Sequence, residues 1–181
     1  MKALRKILIS ALFFCLICTL AACKTEPADG CEAGIHNYTA DNICALCGRA
    51  WEYTEGLEFE LNNDKTAYVV AGIGSVTATD IVIPYGYNGK PVSSIENKAF
   101  YNCFSLTSVT IPDSVTSIGS WAFHKCTSLN SITIGNSVTS IGSYAFEDCS
   151  SLTSVSIPDS VASIEFETFS GCSSLTSITI G

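Results

Sequence analysis

The chain has 181 residues, 47% of them apolar and only 14% charged, with a formal net charge of −8. Such an acidic balance lacks the basic footprint that nucleic-acid phosphates require, so no nucleic acid is expected as a partner. The apolar content is too high for a disordered acidic tail, and the chain is expected to bury a core. It opens with Lys2, Arg5 and Lys6 followed by the uncharged apolar run Ile7 to Leu20, too short to span a bilayer comfortably. Residues 1–22 have the form of an export signal.

That run closes on Leu20-Ala21-Ala22-Cys23, which resembles the lipobox of bacterial lipoproteins. The resemblance implies a diacylglyceryl group on Cys23, cleavage just before it, and a short lipidated linker over 23–30. It also implies a protein held to the membrane by its lipid, on the extracytoplasmic side at the bacterial cell surface. An ordinary signal peptide cleaved at an A-x-A-like site and an uncleaved anchor helix are the alternatives.

The next segment, 31–50, carries Cys31, His36, Cys44 and Cys47 within CEAGIHNYTADNICALCG. Three thiols and one imidazole make a Cys₃His set, and the C-x-x-C spacing lets two thiolates reach one tetrahedral ion at about 2.3 Å. A structural zinc would let so short a segment fold with almost no core. The segment resembles short zinc-ribbon-like pieces near the start of some gut-bacterial surface proteins. With four protein ligands the site would be closed and structural. A Cys44–Cys47 or Cys31–Cys47 disulfide on an exported chain is the rival reading. Gly48, not histidine, follows Cys47, which excludes covalent haem attachment, and no organic cofactor is expected.

Over 51–95 the pattern becomes a β cap and a degenerate first repeat. LEFELNNDKTAYVV alternates apolar and polar residues about Asn62-Asn63-Asp64, a hairpin signal. IVIPYGYNGKPVSSIENKAFYNC is then one repeat with extra residues between Ile83 and Val92, among them the turn formers Gly86, Asn88, Gly89 and Pro91.

From 96 to 181 the chain aligns on itself at a step of 23 residues. One copy has Leu106, Val109, Ile111, Ser114, Val115, Ile118, Ala122, Phe123 and Cys126. The next has Leu129, Ile132, Ile134, Ser137, Val138, Ile141, Ala145, Phe146 and Cys149. The third has Leu152, Val155, Ile157, Ser160, Val161, Ile164, Thr168, Phe169 and Cys172, and a fourth begins at Leu175, Ile178 and Ile180. Self-similarity of this kind marks a solenoid, because one unit cannot hide its apolar face without a stacked neighbour. Alternation around Val109 and Ile111 predicts a strand, a corner follows at Pro112-Asp113 or Gly135-Asn136, and a second extended piece runs through Ile118. One or two helical turns are expected around Trp121 to Cys126, giving an α/β class. The chain stops part-way through a coil, read as a fragment truncated at its C terminus.

The stretch SLTSVTIPDSVTSIGSWAFHKC resembles the repeat of the BspA-like, or Treponema-type, leucine-rich repeat proteins. That resemblance implies a leucine-rich repeat solenoid and adhesion, typically to host matrix proteins or other cells. Cys103, Cys126, Cys149 and Cys172 recur in phase and are expected to stack as small buried fillers, though coils about 4.8 Å apart leave disulfides geometrically open.

No catalytic constellation emerges. The serines sit at repeat-fixed positions, GIGSVT from Gly72 lacks the third glycine of a dinucleotide fingerprint, and His124 falls in a slot held by Glu147 and Ser170 in later copies. His124 is read as a variable surface residue, and Glu147-Asp148 and Glu165-Glu167 as solvated carboxylates. The candidate site is instead a hydroxyl-rich strand face: Thr107, Ser108, Thr110; Asn130, Ser131, Thr133; Thr153, Ser154, Ser156; and Thr176, Ser177, Thr179. Trp121 and Tyr144 share one register elsewhere and form a modest patch or partly cover the core. The expected function is a non-catalytic, adhesin-type module for an extracellular protein or glycan. The alternatives are the non-catalytic N-terminal part of a larger envelope enzyme and, more remotely, an ice-binding face.

Overall fold

The computed structural model describes residues 53–181. Eleven strands follow one another: β1 (Glu58–Leu61), β2 (Tyr68–Gly72), β3 (Asp80–Val82), β4 (Gly86–Tyr87), β5 (Lys90–Ile95), β6 (Ser108–Thr110), β7 (Ser117–Ile118), β8 (Ser131–Thr133), β9 (Ser140–Ile141), β10 (Ser154–Ile157) and β11 (Ser177–Ile180). They wind as a solenoid with two parallel strips. One strip is β3-β6-β8, continued by the separate pair β10-β11, and the other is β2-β5-β7-β9 with β1 outside β2.

The register reports the repeat directly. Val109 faces Ile132, Val155 faces Ile178 and Ile118 faces Ile141, each 23 residues on. The first coil is longer, since Ile81 faces Val109 across 28 residues. The excess lies between Ile83 and Val92, where β4 and β5 form a small antiparallel hairpin. Its tip, Asn88-Gly89, has φ of 46° and 75°, a pair of left-handed residues that asparagine and glycine tolerate and that closes tight hairpins. Upstream, β1 and β2 pair antiparallel about a turn in which Asn62 Oδ1 accepts from the N–H groups of Thr66 and Ala67 at 2.9 and 3.0 Å.

Repeat positions become columns. Leu106, Leu129 and Leu152 are buried, as are Ile111, Ile134 and Ile157, and Val109, Ile132 and Val155. Phe100, Phe123, Phe146 and Phe169 stack one on another with centroids 5.0, 5.3 and 5.4 Å apart and planes within 5°. The coil spacing of about 4.8 Å sets this repeat, and the pairs add to the burial of the rings themselves. The strands end where a proline removes a ladder donor: β10 stops at Ile157, just before Pro158.

The helical turn expected in each coil does not form, and among the described residues the class is all-β, not α/β. Between Gly119 and Cys126 the N–H groups alternate in destination. Those of Ala122, His124 and Cys126 bond back three residues within the turn. Those of Trp121, Phe123 and Lys125 donate to Ser143, Ala145 and Glu147 of the next coil at 2.8–3.1 Å. Half the donors an α-helix needs are thereby committed to a neighbour. Trp121 and Lys125 also hold positive φ, as do Tyr144 and Asp148 one coil on, which interrupts right-handed helix at four-residue steps. The outer turn row is therefore a third inter-coil ladder.

The second strip ends at β9, and Ile164, expected in the core, is 42% exposed. The N–H groups of Gly119 and Gly142 each bond to the coil before, at Ile95 and Ile118. A Cβ on Gly119 or Gly142 would lie 2.5 or 2.6 Å from backbone nitrogen of that coil. Glu165 occupies the same register one coil on, past the end of the strip.

Candidate functional site: the hydroxyl face and the outer turn row

On the first strip every second residue points away from the core, so the columns of Ser108 and Thr110 run across the coils, with the polar positions of Thr107 and its counterparts just before the strands. Ser108 pairs in register with Ser131, and Ser154 with Ser177; Thr110 pairs with Thr133, and Ser156 with Thr179. Thr110, Asn130, Ser131, Thr133, Thr153, Ser154, Ser156, Thr176, Ser177 and Thr179 are exposed, as expected. Thr107 and Ser108 are half-buried because Asp80 reaches over them. Its Oδ1 accepts from Ser108 Oγ at 2.6 Å and from Thr107 Oγ1 at 3.0 Å. These two hydroxyls, Ser108 first, hold the Asp80 carboxyl below its ordinary 3.8. Asp80 was not among the residues expected here. Some of the face is spoken for internally: Thr107 Oγ1 also donates to the Thr79 carbonyl at 3.0 Å, and Thr176 Oγ1 to that of Thr153 at 3.1 Å. The serine column from Ser131 onward and the outer column from Thr110 onward remain open to solvent.

On the outer turn row, Trp121 and Tyr144 stack at 5.1 Å with planes 4° apart, and Phe166 meets Tyr144 edge-on at 5.5 Å. Lys98 Nζ lies 5.5 Å from the Trp121 ring centroid. Because the two rings face one another, the patch presents mainly their edges.

His124 is not a surface residue. Only 7% of it is exposed, and its Nδ1 lies 2.8 Å from Glu147 Oε2, so Glu147 is likewise not simply solvated. The reason is columnar: residues 124 and 147 are one repeat apart, and Tyr101, one repeat before, stacks on the imidazole at 4.8 Å. The spacing held that signal, but one copy read alone shows only a polar residue among polar neighbours.

The four in-phase cysteines are free thiols, as expected of fillers. Each of Cys126, Cys149 and Cys172 directs Sγ at a phenylalanine carbonyl of the preceding coil, at 3.1 Å. The hydrogen bond shared with Cys103, together with burial, holds the proton on Cys126, and burial pushes the Cys172 thiol up to about 11. Cys23 and the set Cys31, His36, Cys44 and Cys47 lie outside the described residues.

Residues 93–181 match the family described as BspA type leucine rich repeat region (6 copies). No curated protein matches the chain. Among solved structures it is similar to a leucine rich repeat protein of T. pallidum, at 30% identity and a TM-score of 0.54, over 68% of each chain. A leucine-rich repeat protein from Bacteroides capillosus is 29% identical with a TM-score of 0.61, over 72% of this chain and 99% of that one. A leucine rich cell surface protein from Faecalibacterium prausnitzii is 33% identical with a TM-score of 0.54, over 72% of this chain and 42% of that one. With its coils in register and this likeness to solved repeat proteins, the chain belongs to the BspA-type leucine-rich repeat family.

Proposed function

We propose that this is a non-catalytic, cell-surface lipoprotein whose hydroxyl face binds an extracellular protein or glycan in the manner of an adhesin. The observation that carries the reading is the exposed hydroxyl set in which Ser154 and Ser156 face Ser177 and Thr179 in register, with Ser131 and Thr133 exposed at the same positions one repeat before. Hydroxyls both donate and accept, and on parallel strips they recur about every 4.8 Å, so the face suits an extended, repetitive polar ligand. A relative described as a leucine rich cell surface protein supports the location. The LAAC stretch supports a lipid on Cys23, and the Cys₃His spacing supports a structural zinc held by Cys31, His36, Cys44 and Cys47. On this reading 1–22 is the signal peptide, 23–30 the linker, 31–50 the zinc segment, 51–95 the cap and 96–181 the repeats.

The test is binding of labelled matrix proteins and glycans to cells that carry the chain, to cells that lack it, and to cells carrying a Ser131→Lys/Ser154→Lys face variant. Loss of binding in both controls is expected for at least one ligand. Equal binding by all three across a broad panel sinks the reading. Incorporation of labelled palmitate that disappears in Cys23→Ala tests the anchor, and elemental analysis with a thiol count tests the zinc.

A further inference from the structure

We propose that His124, Glu147 and Asp148 form a binding site for a divalent transition-metal ion on the outer turn row. One donor atom from each lies within 4.8 Å of the others. His124 sits one coil before the two carboxylates, and its Nδ1 is buried, 2.8 Å from Glu147 Oε2, yet out of alignment for a hydrogen bond. Proximity and angle point different ways here, and the angle is the more telling. An imidazole built only to pair with Glu147 would aim its N–H along the contact, and a buried ring nitrogen without an aligned partner is costly. Two donors 2.8 Å apart share one ion at about 2.1 Å only when the ion lies beside the line that joins them, and a nitrogen lone pair directed off that line is compatible with such a place. Ligand bonds of about 2.0–2.2 Å need only small rotations of the two carboxylates, which are partly exposed and able to swing.

The surroundings fit a built site. Tyr101 stacks on the imidazole at 4.8 Å and fixes its plane. Gly171 follows Asn102, Lys125 and Asp148 in its column, and a Cβ there would fall 2.2 Å from Asp148 Oδ1, so glycine leaves the carboxylate its room. One nitrogen and two carboxylate donors suit zinc, manganese or nickel, and three protein donors leave coordination positions for water or for a carboxylate of a bound partner.

The test is a Zn²⁺ titration of the full chain after chelation, followed by calorimetry and by NMR of the ring resonances of the two histidines, His36 and His124. The site predicts one zinc equivalent that shifts the His124 ring. Its affinity should fall by about tenfold or more in Glu147→Gln/Asp148→Asn. The melting temperature of that variant without metal shows whether the fold is intact, and Asp148→Asn alone serves if the double variant fails to fold. A Cys31→Ser/Cys44→Ser/Cys47→Ser chain should keep the His124 equivalent whatever becomes of the thiol segment. A His124 ring that zinc leaves unmoved, or a carboxamide variant that binds zinc as tightly as the parent, overturns the proposal and leaves an ion pair.

Discussion

Asp80 carries a pH dependence that can be worked out from its neighbours. Hydrogen bonds from Ser108 and Thr107 favour its charged form, so its folded value lies below the ordinary 3.8. A depressed carboxylate contributes stability that is present above the unfolded value and lost as pH falls through the folded one. Melting temperature measured from pH 6 down to 2 should therefore show a steeper acid limb for the parent than for Asp80→Asn. Identical limbs would remove the assignment. Ser114 poses the opposite case: its hydroxyl is buried with no hydrogen-bond partner. Ser114→Ala should raise stability by about 1 kcal/mol in denaturant melts, since it deletes an unsatisfied group without opening a cavity. At the centre of the aromatic column, Phe123→Ala should cost about 3–5 kcal/mol, and a cost below about 1 kcal/mol would mean the column is not tightly packed.

Among the elements, the second strip shows where glycine permits a close ladder. Gly119 and Gly142 let β7 and β9 press against the coil before, and the strip ends at β9 with Ile164 beyond it exposed. Gly119→Ala should lower the melting temperature, since its Cβ would meet Asn97 backbone nitrogen at 2.5 Å. The turn at Asn62 and the turn formers Asn88-Gly89 were legible because turn residues act locally through their own backbone preferences, whereas the β4–β5 pairing around Asn88-Gly89 was not. The helical turn was misread for the opposite reason. Apolar spacing in Trp121 to Cys126 fits a helix in one copy, but the carbonyls that capture the N–H groups of Phe123 and Lys125 belong to the next copy.

At the scale of the whole molecule, stability is shared between coils through nearest-neighbour stacking. The thiol column reports on it. Cys126 and Cys149 are buried and hold their protons, while Cys103 and Cys172 are only partly covered. In the native protein at pH 8, alkylation followed by mass spectrometry should label Cys103 and Cys172 well before Cys126 and Cys149. Early labelling of Cys126 would show that the coils separate readily. The sequence by itself determined the period, the identity of each core column, the corners and the hydroxyl face, because a residue recurring every 23 positions must meet its own copies once the coils stack. Only the tertiary structure decided which backbone donors cross between coils, that the second strip ends at β9, and that His124 is buried against Glu147. Each of these depends on a partner one turn of the solenoid away, brought within bonding distance by stacking and not by anything local to the chain.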